Sequence, residues 1–445
     1  MPLMGCLSTS VNRQFAMKKF IQAAGLLTAA GAASFCHASS LSAGDPSRPW
    51  SVSGVVKGFY DDNMFAAPDG PNKVESFGFD VGPSINLNLP MDQTLLTLGY
   101  QFNARWFEAR DNDQWDLYHA FNGRLSHTFS PRFKLDLDET FTIAQEPEQF
   151  GNVGGAAVPF RSSGDNIINR AGADFTAVLT RTLSTVISYH NNLYNYTDDL
   201  IPFGPVFPDG TQATVASYGP LLDRIEHEVG GDLRYEFTTS TVGRLGYQYG
   251  IYDYDKRDVS DNTAHYVFAG ADHAFSSQLQ GSIRGGVEMR DYDNAATHST
   301  DTSPRGEGSL TYQYRADSSV NMGAFHRRAA TDVILTGPAE VVTDARTTAG
   351  YVGLRHAITP KLKGNLTAIY QHSTYQYAGE GLTDDEGYFG IGVGMQYAFT
   401  RWLSAEANYY FDDRDSTIRN GVFGGFADSY DYSRNRFFLG VRLRY

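Results

Sequence analysis

The chain closes with Asn435-Arg-Phe-Phe-Leu-Gly-Val-Arg-Leu-Arg-Tyr445, and the reading of this stretch decides the fold. Phe437, Leu439, Val441, Leu443 and Tyr445 take every second position. Arg436, Phe438, Gly440, Arg442 and Arg444 stand between them. Side chains of a strand alternate between two faces, so a strand here has one greasy face and one that carries three arginines. A water-soluble edge strand rarely alternates in this way up to an aromatic last residue.

The same alternation recurs upstream. Val229, Gly231, Leu233, Tyr235 and Phe237 oppose Glu228, Asp232, Arg234 and Glu236; Leu279, Ile283, Val287 and Met289 oppose Gln280, Ser282, Arg284, Glu288 and Arg290. Short connections of one kind separate such segments: Phe129–Phe133, Leu179–Leu183, Phe237–Thr241, Phe275–Leu279, Ile358–Leu362 and Phe399–Leu403, with looser relatives at Leu89–Thr94 and Tyr314–Val320. Between them lies room for a strand, a longer loop and a strand, which makes a repeat of β-hairpins. Two strands around each of eight turns, plus one at each end, predict about 18. Among them are strands over Gly306–Tyr314, Thr347–Ile358 and Asn435–Tyr445.

Charges placed throughout long strands would be costly to bury in a dry sandwich. A wet interior with lipid outside removes that cost. The expected fold is therefore all-β, a transmembrane antiparallel up-and-down β-barrel with short periplasmic turns and longer extracellular loops. An even strand count puts both ends of the barrel on the periplasmic side. The ending at Tyr445 resembles the carboxy-terminal assembly signal of bacterial outer-membrane β-barrels, with Phe437, Leu439, Val441, Leu443 and Tyr445 in that role. Barrel assembly machinery and outer-membrane lipid with lipopolysaccharide are then the expected partners.

Composition agrees. The 445 residues are 41% hydrophobic and 13% aromatic, with Gly 45, Tyr 27, Phe 29 and a mean hydropathy of -0.35. That is too polar for a bundle of membrane helices, and many strands with aromatic belts account for it. Residues 1–38 read as a signal peptide whose true start is Met17: Lys18 and Lys19, an apolar stretch Phe20 to Phe35, then Cys36-His-Ala38 as a cleavage site. Residues 39–50 form a short periplasmic tail, and 51–445 the barrel. Both cysteines, Cys6 and Cys36, fall in the leader. Without Arg13, Lys18 and Lys19, 33 of the 36 basic residues remain against 50 acidic ones, a net charge of -17 that argues against nucleic acid.

Outward-running strands end in aromatics mixed with acids, as in Tyr60-Asp-Asp-Asn63, Tyr252-Asp-Tyr-Asp255 and Phe411-Asp-Asp-Arg-Asp415. They read as a solvated acidic rim; the alternative is divalent cations shared with lipopolysaccharide phosphates. No metal site is assigned. Leu200 to Leu222 is apolar and proline-rich for a surface loop, and Pro202, Phe203 and Phe207 are candidates for a constriction; packing on neighbouring loops is the alternative. Pore-lining candidates are Arg105, Arg124, Asp136, Arg170, Asp174, Asp232, Arg234, Glu236, Arg284, Glu288, Glu307, Arg355, Glu406, Arg442 and Arg444. Their opposed charges suit hydrated solutes, or merely neutralise one another within the wall. Tyr351, Tyr388, Tyr410 and Phe438 are candidate lumen aromatics. No His-Glu-x-x-His or Gly-x-Ser-x-Gly occurs, so no catalytic residue and no cofactor is expected. His119, His190, His227 and His273 read as wall residues.

With Val55-Val-Lys-Gly-Phe-Tyr-Asp-Asp-Asn63 near its start, the hairpin repeat and the ending at Tyr445, the chain resembles the putative β-barrel porin 2 family. The resemblance implies an outer-membrane barrel of a Gram-negative bacterium. Some members are associated with exopolysaccharide secretion, which would add polysaccharide export components as partners. The expected function is a porin-like channel for hydrophilic solutes such as saccharides. An exopolysaccharide export conduit, a barrel hydrolase and a surface scaffold are the alternatives.

Overall fold

The computed structural model describes residues 49–67, 70, 73–111, 114–145, 165–197, 200–206, 212–216, 222–255, 260–292, 299–329, 335–337, 340–377, 383–417 and 431–445. The proposed leader and most of the tail lie outside them. No α-helix occurs among the described residues. The strands are β1 (Trp50–Asp61), β2 (Ser76–Pro90), β3 (Thr94–Phe107), β4 (Trp115–Ser130), β5 (Phe133–Ala144), β6 (Asn166–Val178) and β7 (Leu183–Tyr196). Next come β8 (Leu200–Val206), β9 (Gln212–Ala216), β10 (Arg224–Thr238), β11 (Thr241–Tyr254), β12 (Asn262–Ala274), β13 (Leu279–Tyr292) and β14 (Ser299–Arg315). The last are β15 (Ser318–Ala329), β16 (Leu335–Gly337), β17 (Glu340–Ala357), β18 (Leu362–Tyr377), β19 (Thr383–Ala398), β20 (Leu403–Ser416) and β21 (Tyr432–Arg444).

Three of these stand apart from the wall. β8 and β9 make a two-stranded sheet of their own, and the short β16 pairs only with β17. The other eighteen form one closed antiparallel barrel in chain order, with β7 beside β10, β15 beside β17 and β21 beside β1. Closure leaves no backbone edge unpaired, the condition a sheet must meet to cross a bilayer.

All eight short connections lie where the sequence places them, and their chemistry is now visible. In six of them a hydroxyl caps the turn, Ser130 and Thr238 by accepting from the N–H two residues on at 3.3 and 3.2 Å. Thr180, Ser276, Thr359 and Thr400 each accept hydrogen bonds from the backbone N–H groups two and three residues on, at 3.0–3.3 Å, 3.0–3.2 Å, 2.9–3.2 Å and 3.0–3.1 Å respectively. A short hydroxyl side chain imitating a backbone acceptor is why Ser or Thr recurs at this position.

The seam ladder runs from Ser53↔Arg444 to Asp61↔Arg436. Tyr445 extends it by exchanging backbone hydrogen bonds with Val52 at 2.8 and 3.1 Å, and its ring lies 5.7 Å from that of Trp50. Several strands reach beyond the expected boundaries at their outer ends. Ser299–Arg315 begins seven residues before Gly306, and Glu340–Ala357 seven before Thr347. There the ladder runs on where alternation is lost, in segments such as Ser299-Thr-Asp-Thr-Ser-Pro304.

Candidate functional site: the inward face of the barrel

Strand parity sorts every side chain to one of two faces. On β21 the alternating set Phe437, Leu439, Val441 and Leu443 stands outward, with Leu439 70% exposed. Arg434, Arg436, Phe438 and Arg442 are buried among inward neighbours. On β13, Ile283, Val287 and Met289 are exposed, whereas Glu288 and Arg290 are buried. The register carries this sorting around the wall and places every pore-lining candidate named above on the inward face.

These inward charges fall into unlike arcs. Around the seam, over β19, β20, β21 and β1 to β3, all but Arg444 near the short-turn end are buried or half-buried, most of them in pairs. Arg434 Nε donates to both carboxylate oxygens of Asp61 at 3.0 Å, and Arg436 lies 2.7 Å from Asp412. Lys57 and Arg442 flank Glu406 at 3.1 and 3.3 Å, and Arg105 grips Asp80 at 2.8 Å. The Tyr60-Asp-Asp-Asn63 motif belongs here as a clasp across the seam. Asp62 accepts from the backbone N–H and the side-chain amide of Asn435 at 2.6 and 2.7 Å, and Asn63 Nδ2 donates to the carbonyl oxygen of Ser433 at 3.2 Å.

Just past this motif the chain turns inward, which alternation alone does not reveal. Met64 packs with Phe59, Phe107 and Phe438 in a buried cluster against the inner wall, and Val74 and Tyr410 lean on it. Arg105 stacks 5.5 Å from the rings of both Phe59 and Phe438. Gly78 makes this possible: a Cβ there would stand 2.3 Å from the Phe59 ring. Of the candidate lumen aromatics, Tyr351, Tyr388, Tyr410 and Phe438 are all inward, and Tyr388 and Phe438 are buried. The one local sequence sign was the apolar pair Met64-Phe65 directly after an acidic run.

Over β4 to β6 the inward charges are accessible and poorly matched. Arg124, its side chain 44% exposed, reaches only to 4.0 Å of Asp136, which Lys134 meets at 2.7 Å. Asp136 stands directly across from Asp174, and Asp138 lies against Gly172, where a Cβ would meet its carboxylate at 2.6 Å. Among the described residues Asp138 and Asp174 make no hydrogen bond or ion pair. Arg170 lies 5.7 Å from the Tyr194 ring. Farther round, Arg234 and Arg244 share Asp232 at 2.6 and 3.0 Å, and Arg284 meets Glu307 at 2.5 Å with both side chains more than a third exposed. Glu288 sits between Arg290 and Arg305 at 2.8 and 3.0 Å. Glu236 is half-buried, Arg355 and Arg444 are exposed near the short-turn end.

The constriction candidates separate. Pro202 and Phe203 lie in β8, paired with Thr214 and Ala213, and Phe207 lies outside the described residues.

Histidines mark the outward face. His119, His127, His227, His265, His273, His326 and His356 each place Nδ1 2.7–3.0 Å from a Tyr or Thr hydroxyl on the outer side of the wall. His190 instead shares the inward face of β7 with Asn192. Among the described residues no group of three or more His, Cys, Asp or Glu could hold a metal ion. On β4 and β12 two histidines stand eight residues apart, His119 with His127 and His265 with His273. At about 3.4 Å per residue and a tilt near 40°, that spans roughly 20 Å along the barrel axis. A groove of about 790 Å³ also lies on this outer side, over Gly308 and Gly350 and between Ile283, Leu310, Met322 and Tyr370. It opens away from the lumen.

Residues 256–445 match the family model described as putative beta-barrel porin 2. The matched span holds nine of the eighteen wall strands, from β12 to the closing β21. The Tyr60-Asp-Asp-Asn63 motif lies outside it. Among solved structures, OccAB3 of Acinetobacter baumannii is similar at 9% identity, covering 89% of this chain and 99% of that one with a TM-score of 0.44. The outer membrane protein OpdK of Pseudomonas aeruginosa is similar at 12% identity, with 89% and 99% covered and a TM-score of 0.41. No curated protein matches the chain.

Proposed function

We propose that the protein is a porin-like outer-membrane channel that passes hydrophilic solutes through its lumen. The observation that carries this is the pairing of faces in a closed eighteen-strand wall. Leucine, valine and aromatic side chains stand outward, and accessible charges such as Arg124, Asp138, Asp174, Arg284 and Glu307 stand inward. A barrel of 16 to 18 strands is wide enough for an aqueous passage. The outward band between histidine levels roughly 20 Å apart suits the ~25 Å apolar belt of such barrels. Family likeness to porins supports the same reading.

Within the lumen the solute path runs along β4 to β6 and past Arg284 and Glu307, where the inward charges are accessible, because the seam arc is filled by its own ion pairs and the Met64 cluster. Small saccharides suit a lumen of hydroxyls, amides and balanced charge. Leu200 to Leu222 narrows the passage, and the inward wall residues bind solutes by hydrogen bonds without performing chemistry on them. The test is conductance of the purified, refolded full barrel in planar bilayers, with liposome swelling in sugars of increasing size. Discrete conductance steps and size-limited sugar entry are expected. A correctly folded barrel without either would overturn the proposal.

A further inference from the structure

Between the accessible charges of β13 and β14 and the paired charges of the seam lies a third arc of the inner wall. On β17, β18 and β19, Arg355 and Lys363 stand near the short turns, and Asp344 and Glu386 near the outer ends. Every inward position between them is uncharged. At mid-height this arc presents Tyr351, Asn365, Thr367, Gly392 and Gly394. It borders the seam at Asn408 and Tyr410 of β20.

Two aromatic rings are laid along it. Tyr351 stands directly across from Gly323, where a Cβ would meet its Oη at 2.6 Å and its Cζ at 2.7 Å. Tyr410 stands across from Gly392, where a Cβ would meet its ring at 2.9 and 3.0 Å. A phenol can fold down over the neighbouring strand only where that strand has no side chain, and a ring so laid turns one face to the lumen. The Phe438 ring, 5.8 Å away and nearly perpendicular, holds Tyr410 in place. Asn365 and Asn408 flank Gly394 from its two neighbouring strands, and both amides reach over it. A Cβ at Gly394 would stand 2.6 Å from Asn408 Oδ1 and closer still to Asn365 Oδ1. Tyr351, Asn365, Thr367 and Asn408 are all half-buried, and none makes a hydrogen bond among the described residues.

We infer that this arc is a binding subsite for a neutral oligosaccharide, stacked on Tyr351 and Tyr410 and hydrogen-bonded by Asn365, Thr367 and Asn408. Amides and hydroxyls offer donors and acceptors without charge, which is what sugar hydroxyls need. The ring faces suit the apolar C–H face of a pyranose. A charged solute would lose hydration here and gain no counter-ion. Three strand spacings separate Tyr351 from Tyr410, about 14 Å, a span that a short oligosaccharide covers. Gly323 pairs with Ser309, two residues from Glu307, so the subsite adjoins the proposed solute path. The inference rests on the channel reading for a lumen that solute can enter, and adds a preference for uncharged sugar.

The test is calorimetric binding of maltotriose, cellotriose and xylotriose to the purified full barrel in detergent. At least one of these neutral trisaccharides is expected to bind, and an equal concentration of trigalacturonate should not displace it. Asn365→Ala with Asn408→Ala should raise the dissociation constant at least tenfold, and so should Tyr351→Ala alone, while the heat-modifiable folded band persists in both. Asp138→Asn, in the open charged arc, should change it less than twofold. Binding of none of the three sugars, displacement by trigalacturonate, binding unmoved by both variants, or an equal loss from Asp138→Asn would each overturn the inference. Binding is read here without passage. A barrel that conducts and admits sugars but fails this test loses only the subsite, and one that binds without conducting loses only the channel.

Discussion

Two arcs of the same wall use similar side chains for different ends. Around the seam, Asp61, Asp412, Glu406 and Asp80 each face an arginine at hydrogen-bonding distance and are shielded from solvent. Over β4 to β6, Asp138 and Asp174 stand unpaired among the described residues beside Asp136, which Lys134 meets at 2.7 Å while Arg124 is held at 4.0 Å. Buried charge is tolerable only when paired, so the seam charges act as fasteners. Accessible carboxylates left unpaired act on whatever passes. The arcs also differ in what packs beside them: in the seam arc the rings of Phe59 and Phe438, which pack with Met64, lie 5.5 Å from Arg105.

The comparison breaks most severely if the seam is removed. Deleting Phe437 to Tyr445 takes away the pairing of β21 with β1 and most of that with β20, and should abolish the heat-modifiable, detergent-resistant band on a gel. A smaller but large effect is expected from Asp61→Ala, which removes the carboxylate that Arg434 Nε grips through both oxygens. It should cost about 3–5 kcal/mol, read as a lower denaturant midpoint, as for other buried pairs that lose one partner. Asp138→Asn in the open arc should stay within about 0.5 kcal/mol, as surface changes do. Equal losses at the two sites would erase the distinction.

Next comes the inside–outside contrast. Val393→Arg should cost about 2–4 kcal/mol at the lipid face. Glu236→Gln, half-buried and inward, should leave the midpoint nearly unchanged. Like responses would mean the faces are assigned one residue out of register. Smaller in energy, but direct in function, is removal of Pro202 to Tyr218 with a glycine closure. Single-channel conductance and the size limit for sugars should both rise, and the flanking β7 and β10 should still pair, since loop length adds little entropic cost. Unchanged conductance would leave the charged wall as the narrowest point. The mildest change is Asp138→Asn with Asp174→Asn, which should lower cation preference in reversal-potential measurements at low salt and less so at high salt.

Period-two alternation and a recurrent Ser/Thr turn made the wall legible from the chain alone. All eight turns could be placed because each needs the same hydroxyl-capped or tight geometry. The outer strand ends could not, since above the membrane neither face has to be apolar and Ser299 to Pro304 shows no pattern. Which inward residues are sealed was equally hidden. Arg442 and Arg355 look alike in sequence, yet one is clamped to Glu406 and the other is exposed, a difference set by neighbours far away in the chain. The burial of Met64 is hidden in the same way, because it depends on Phe107 and Phe438.

The seam clasp also has a kinetic meaning. Every other ladder of the wall joins segments that follow one another in the chain, so each hairpin can form soon after its turn. Asp61 and Arg434 are 373 residues apart. Their meeting has to wait until all eighteen strands exist, and contacts at such separation are slow to find. The clasp is therefore the last bond to close, and Asp62 and Asn435 beside it hold the register while the ladder from Asp61 to Ser53 zips toward Tyr445.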